Sequence, residues 1–146
     1  MMPSQAINFF TQDIKFTLKN KSKIRLWLTA VAKKEGAAIE ELNYIFCSDN
    51  YLLELNKKHL NHNTLTDIIT FDTAVTSSVV EKQIIGDIFI SIERVKENAS
   101  TFNVSFEKEL HRVMVHGLLH LLGYKDKKPA DKTEMTGKED YYLKRV

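Results

Sequence analysis

The chain has 146 residues, near the commonest size for one domain around one core. Hydrophobic residues at 43% and charged residues at 27% exclude a disordered tail, a collagen-like fibre and a disulfide scaffold. Lys and Arg number 21 against 19 Asp and Glu, a net of +2 that is too even to announce a nucleic-acid binder. In chain order, Ala6 to Leu18 reads as one or two short strands broken near Asp13. A helix follows, with Ser22 as its N-cap, Ile24, Trp27, Leu28 and Val31 at helical spacing and Gly36 as its stop. Leu42 to Ser48 reads as a strand. Ser48 or Asp49 then caps a helix running to about Lys58, with Leu52, Leu53 and Leu55 inward. Asp67 to Phe71 and Ile84 to Ile92 read as strands, joined by an irregular stretch from Thr73 to Val80. Three helices complete the chain: Glu93 to about Phe102, Phe106 to Leu122, and Ala130 to the end. Strands early and helices late point to an α+β fold, a small mixed sheet with helices packed mainly on one face, in a single domain over residues 1–146.

A lone cysteine, Cys47, has no internal disulfide partner and suits a reducing compartment. The start, MMPSQAINFF, lacks the basic and long apolar regions of a signal peptide. Apolar runs of about six residues fall far short of the roughly 20 that span a bilayer. The expectation is a soluble cytoplasmic protein with no membrane partner.

The chemistry concentrates in HGLLHLLGYKD. His116 and His120 stand at i and i+4, so both imidazoles project from one helix face, one turn apart. Two nitrogens so placed reach a single metal about 2 Å away. Gly123 can end the helix in a left-handed turn, and the returning chain offers Asp126 as a third ligand. The spacing HxxxHxxGxxD has the shape of a zinc-hydrolase motif on a zincin-like helix. The pair alone is a weak signal. The plainer alternative is two histidines packed on an amphipathic core helix. Amid Val113, Met114, Leu118 and Leu119, however, each imidazole would need a polar partner, and one metal satisfies both. In the peptidase form of the motif, Glu follows the first histidine as general base. Here Gly117 stands there, which disfavours peptidase chemistry. A glycine inside a helix also costs about 1 kcal/mol relative to Ala, so something is expected to approach the backbone at that point.

The histidine segment resembles the YbeY family of bacterial rRNA maturation factors, metal-dependent endoribonucleases whose signature is HGxLHLxGYDH. LNKKHLNHNTLTDIITFD (Leu55 to Asp72), GDIFIS (Gly86 to Ser91) and Glu109-Leu110 ahead of His116 are similar to further family segments, so the resemblance covers roughly residues 40 to 140. It implies a small mixed sheet with helices on one side, and it maps the three ligand positions onto His116, His120 and Asp126. The third is a departure, since the family usually carries His there. Aspartate is a legitimate zinc ligand. With it, two neutral imidazoles and one carboxylate leave Zn²⁺ a formal +1, a weaker Lewis acid than +2. Alternatively, Asp126 stands behind the metal and the third ligand lies elsewhere. A second departure is Leu60, where the family commonly has arginine. Leucine cannot pair with phosphate, and His59, His62, Lys57 or Lys58 would have to compensate.

What the resemblance implies is a zinc-dependent endoribonuclease, with one ion per chain, acting on single-stranded RNA in 16S rRNA 3′-end maturation and ribosome biogenesis. His₂Asp also accommodates Mn²⁺, Fe²⁺ or Ni²⁺. An RNA substrate makes sense of the missing glutamate, because each ribose carries a 2′-hydroxyl beside the scissile phosphate. Either that hydroxyl or a water is the nucleophile. His116, His120 and Arg112 are the candidate catalytic residues, and Arg112 and Lys125 the candidate phosphate contacts, the bland reading of both being solvent-facing charge. Thr66, Asp67, Gly86 and Asp87 match family segments, with Asp67 and Asp87 expected at caps or strand ends. Lys127, Lys128 and Lys132 add a modest positive patch beside Asp131 and Glu134. Two further classes keep the same ligands: a hydrolase of a small phosphoester or amide, and a non-catalytic ribosome-associated factor with a structural metal. The small net charge and Leu60 imply a weak intrinsic grip on RNA, so docking on the ribosome or its proteins is expected to supply specificity, with a monomer favoured.

Overall fold

Backbone pairing and helix caps set the elements of the computed structural model, which describes residues 6–60, 66–73 and 82–146, the side chains of residues 59 and 60 excepted. Strand β1 (Ile7–Gln12) stops at Asp13, whose positive φ of 61° breaks the extended run, and no second strand follows before Leu18. Helix α1 (Lys21–Lys34) is capped by Asn20 in the left-handed region, not by Ser22. The bond from Ile24 N–H to the Asn20 carbonyl, at 3.0 Å, closes the first turn and places Ser22 inside it. Gly36, at φ 81°, ends it as expected.

Strand β2 (Ala37–Cys47) begins earlier than the Leu42 read from sequence. Its first residues, Ala37 to Ile39, pair with Lys82 to Ile84 before the register shifts at Ile39/Glu41. Two adjacent acids, Glu40 and Glu41, hide that extension from a hydrophobicity reading. Ser48 caps α2 (Asp49–Leu60), accepting from Tyr51 N–H at 3.1 Å. Its inward positions are Leu52 and Asn56, while Leu53 is half-buried. Strands β3 (Ile68–Asp72) and β4 (Lys82–Ser91) complete a sheet in the order β1-β2-β4-β3, with β3 alone antiparallel. Of the expected irregular excursion, residues 74–80 lie outside the described residues, as does His62. Helices α3 (Ile92–Phe102) and α4 (Phe106–Leu121) follow within a residue of the sequence reading, and α5 (Pro129–Leu143) stops three residues before the expected end. Ser91 and Ser105 cap α3 and α4 through their hydroxyls.

Among the described residues, the mixed sheet and five helices form an α+β fold. Alternate strand residues face opposite ways. Tyr44, Phe46, Ile88 and Ile90 look toward α1 and α4 in the main core, while Ile69, Phe71 and Phe89 meet α2 on the other face. Burying each such side chain contributes about 1.5–3 kcal/mol, so the larger, α4 side of the sheet carries most of the driving force. Helix α4 lies unusually close to the strands. A Cβ on Gly117 would sit 2.9 Å from Cδ1 of both Ile68 and Ile88, and one on Gly86 would sit 3.0 Å from Cδ1 of Leu121 on α4. The backbone approach expected at Gly117 is therefore the sheet itself. Tyr44 Oη donates to the Met114 carbonyl at 2.8 Å, satisfying a buried hydroxyl in the same seam. Among the described residues, no helix is long and apolar enough to cross a membrane.

Candidate metal centre

Helix α4 ends in a Schellman motif. Tyr124 N–H reaches the Leu119 carbonyl and Gly123 N–H the His120 carbonyl, each at 3.0 Å, around Gly123 at φ 110°. The chain thus turns back along the helix and carries Asp126 to the two histidines. Its Oδ2 lies 3.3 Å from Nε2 of His116 and 3.3 Å from Nε2 of His120. The rings stand nearly perpendicular, at 83°, with centroids 4.5 Å apart. One ligand atom from each of the three residues falls within 4.8 Å of the other two.

The far side of each ring decides what Nε2 offers. His120 Nδ1 lies 3.0 Å from the Tyr124 carbonyl, which can only accept, so Nδ1 carries a proton and, in the neutral ring, Nε2 keeps the lone pair. His116 Nδ1 lies 2.6 Å from Oε2 of Glu139, a buried carboxylate that imposes the same tautomer. Two lone pairs and a carboxylate oxygen then converge on one point, a donor set suited to a divalent cation. The field agrees. Burial disfavours a charged His116, yet Glu139, Asp126 and Asp67 more than offset it and hold the imidazole above the ordinary histidine range. A potential that stabilises a proton on that ring also attracts a metal ion.

Glu139 is fixed in turn by Arg112, whose Nη1 meets Oε1 at 2.7 Å while Nη2 meets Asp140 at 2.6 Å. Arg112 is therefore placed differently from the expectation of a phosphate contact. Both of its outer nitrogens are engaged by α5 carboxylates, and it reaches His116 only through Glu139. Asp67, just before β3, bonds Asn98 Nδ2 at 3.4 Å. Burial raises its carboxyl, against a lowering by His116. Burial also raises Glu109, one turn before Arg112, and the Asp67 charge adds to that rise. Asp87 sits within β4 rather than at an end, accepting from Asn43 at 3.0 Å. Lys125, Lys127 and Lys128 line a cleft of about 460 Å³ with His120, Asp126 and Asp131.

Sequence reasoning missed Glu139, Tyr124 and Glu35. Glu35, at the end of α1, accepts from Tyr124 Oη at 2.6 Å, from Tyr142 Oη and from Lys138 at 3.2 Å, bolting the turn and α5 to α1. Burial raises its carboxyl, but those three donors outweigh burial and leave it below the usual range. The signal for Glu139 is present in retrospect, as a charge between Met135 and Tyr142 on the inward stripe of α5.

The family model described as Endoribonuclease YbeY matches residues 6–146. The chain is 52% identical over 142 residues to an "Endoribonuclease YbeY" of Cytophaga hutchinsonii, covering 97% of this chain and 96% of that protein. It is 50% identical over 135 residues to one of Flavobacterium psychrophilum, covering 92% and 93%. Among solved structures, a solution structure of a Thermotoga maritima protein matches with a TM-score of 0.63 at 30% identity, covering 94% of this chain and 87% of that one.

Proposed function

Because the chain belongs to the endoribonuclease YbeY family, we propose that it is a metal-dependent endoribonuclease that carries zinc and cuts single-stranded RNA in the cytoplasm during 16S rRNA 3′-end maturation. The observation that carries the metal reading is the convergence of His116 Nε2, His120 Nε2 and Asp126 Oδ2 with both Nδ1 protons turned away. When bound there, a divalent ion supplies Lewis-acid polarisation of a phosphate oxygen.

The protein's own residues supply order. Glu139 and the Tyr124 carbonyl hold a proton on each Nδ1, Arg112 holds Glu139, and the glycine turn holds Asp126. Arg112 is thus a positioning residue. Gly117 puts no carboxylate at the position that carries the general base in the peptidase form of the motif, and Glu139 and Asp126 are already engaged by His116, which favours a substrate carrying its own nucleophile. The ribose 2′-hydroxyl lies next to the scissile phosphate and provides one. A net charge of +2 gives little long-range pull on RNA, so the ribosome or a ribosomal protein supplies specificity, and the chain acts as a monomer.

The test is cleavage of a labelled single-stranded RNA by the purified protein, before and after chelation and with zinc restored. The reading predicts loss and recovery, and a 2′,3′-cyclic phosphate if the ribose hydroxyl attacks. Cleavage that persists in metal-free protein would contradict it.

A further inference from the structure

The cleft beside the metal group has a composition that the three ligands do not explain. Lys125, Lys127 and Lys128 line it, all exposed, and among the described residues none of them is in an ion pair. Two carboxylates face them. Asp126 is committed to the metal group, which leaves Asp131 as the one remaining counter-charge in the lining. Like charges crowded at a surface repel one another unless an anion joins them. The one aromatic ring in the lining, His120, belongs to the metal group, and no Phe, Tyr or Trp lines the cleft to stack a base.

We propose that Lys125, Lys127 and Lys128 form a phosphate subsite, holding the backbone of a single strand on the Asp126 side of the metal group so that the scissile linkage lies over His116 and His120. This rests on the ribonuclease reading. Ammonium groups on flexible stems suit it, because they act as point charges on phosphate without demanding a fixed fork geometry. Lacking aromatic or base-edge contacts, the subsite binds every sequence alike. Its contribution falls on substrate binding rather than on the chemical step.

The experiment uses the double variant Lys127→Ala/Lys128→Ala, with Lys33→Ala/Lys108→Ala as a control that removes the same charge from exposed positions outside the cleft. Two readouts are taken across a salt series: steady-state cleavage of single-stranded RNA, and anisotropy binding of a 2′-O-methyl oligonucleotide by zinc-loaded protein. The subsite predicts that the cleft variant raises KM and Kd about tenfold, with the loss in KM rather than kcat, equally for oligo-U and oligo-A. The slope of log Kd against log salt falls by about 1.4, near 0.7 for each lost phosphate contact on a single strand. Wild-type slope and affinity in the cleft variant, or an equal loss in the control, would overturn the subsite while leaving the ribonuclease reading intact. If wild type neither binds nor cuts RNA, both fall together.

Discussion

A carboxylate with only 7% of its surface exposed, Glu139, decides how His116 presents itself. It fixes the Nδ1 proton at 2.6 Å and is itself pinned by Arg112, so the metal-facing nitrogen has one orientation and one tautomer. Replacing it by Gln keeps the size and an acceptor but removes the charge. Arg112 then loses one of its two counter-ions, and His116 loses the partner that raises its basicity. Glu139→Gln is expected to weaken zinc binding 10- to 100-fold in a competition titration against a chromophoric chelator, with the folded state retained by circular dichroism. Unchanged affinity would mean that the contact is only structural. His116, His120 and Asp126 were legible in the sequence because helical periodicity and a glycine turn place them within eleven consecutive residues. Glu139 was not, because it meets His116 across 23 residues through the packing of α5 on α4. The partners of Arg112 were hidden for the same reason. Its position on the histidine face was readable, but the α5 carboxylates that occupy it were not.

At the scale of elements, α4 brings the site to the sheet, and Gly117 sets how closely. A methyl group there would meet Ile68 and two atoms of Ile88 at 2.9–3.0 Å, and Ile88 is fully buried with nowhere to retreat. Alanine is the better helix former by about 1 kcal/mol, whereas overpacking a tight core costs about 1–3 kcal/mol. Packing wins, so Gly117→Ala is expected to lower stability by about 1–2 kcal/mol, read as a lower urea midpoint with unchanged slope. A midpoint at or above wild type would show that the helix can rise off the sheet freely. The caps explain which boundaries could be read beforehand. Ser48 and Gly123 are local chemical signals and marked the start of α2 and the end of α4. The first turn of α1 has no side-chain cap, and the start of β2 depends on pairing with β4, so neither boundary is marked locally.

For the whole molecule, the proposed RNA substrate is matched by a local group of lysines rather than by an overall excess of positive charge. Three lysines stand beside the metal group, while Asp67, Glu109 and Glu139 lie on its inner side, the last two next to the Arg112 guanidinium. Under the proposed function, the acids inside would hold a cation and the ammonium groups outside would meet a polyanion. Glu35 ties α1, the ligand-bearing turn and α5 into one frame, so the site is held by contacts spanning most of the chain. The fold class was legible from alternating and helical patterns, but this frame depends on contacts 89 to 107 residues apart and leaves no local trace.

The most direct test of the central claim is metal content measured together with single-stranded RNA cleavage for wild type, His116→Ala and Asp126→Ala. Three protein ligands converging on one point predict about one zinc per chain in wild type, lost together with cleavage in both variants while the proteins remain folded. Metal content and cleavage unchanged by both substitutions would contradict the assignment.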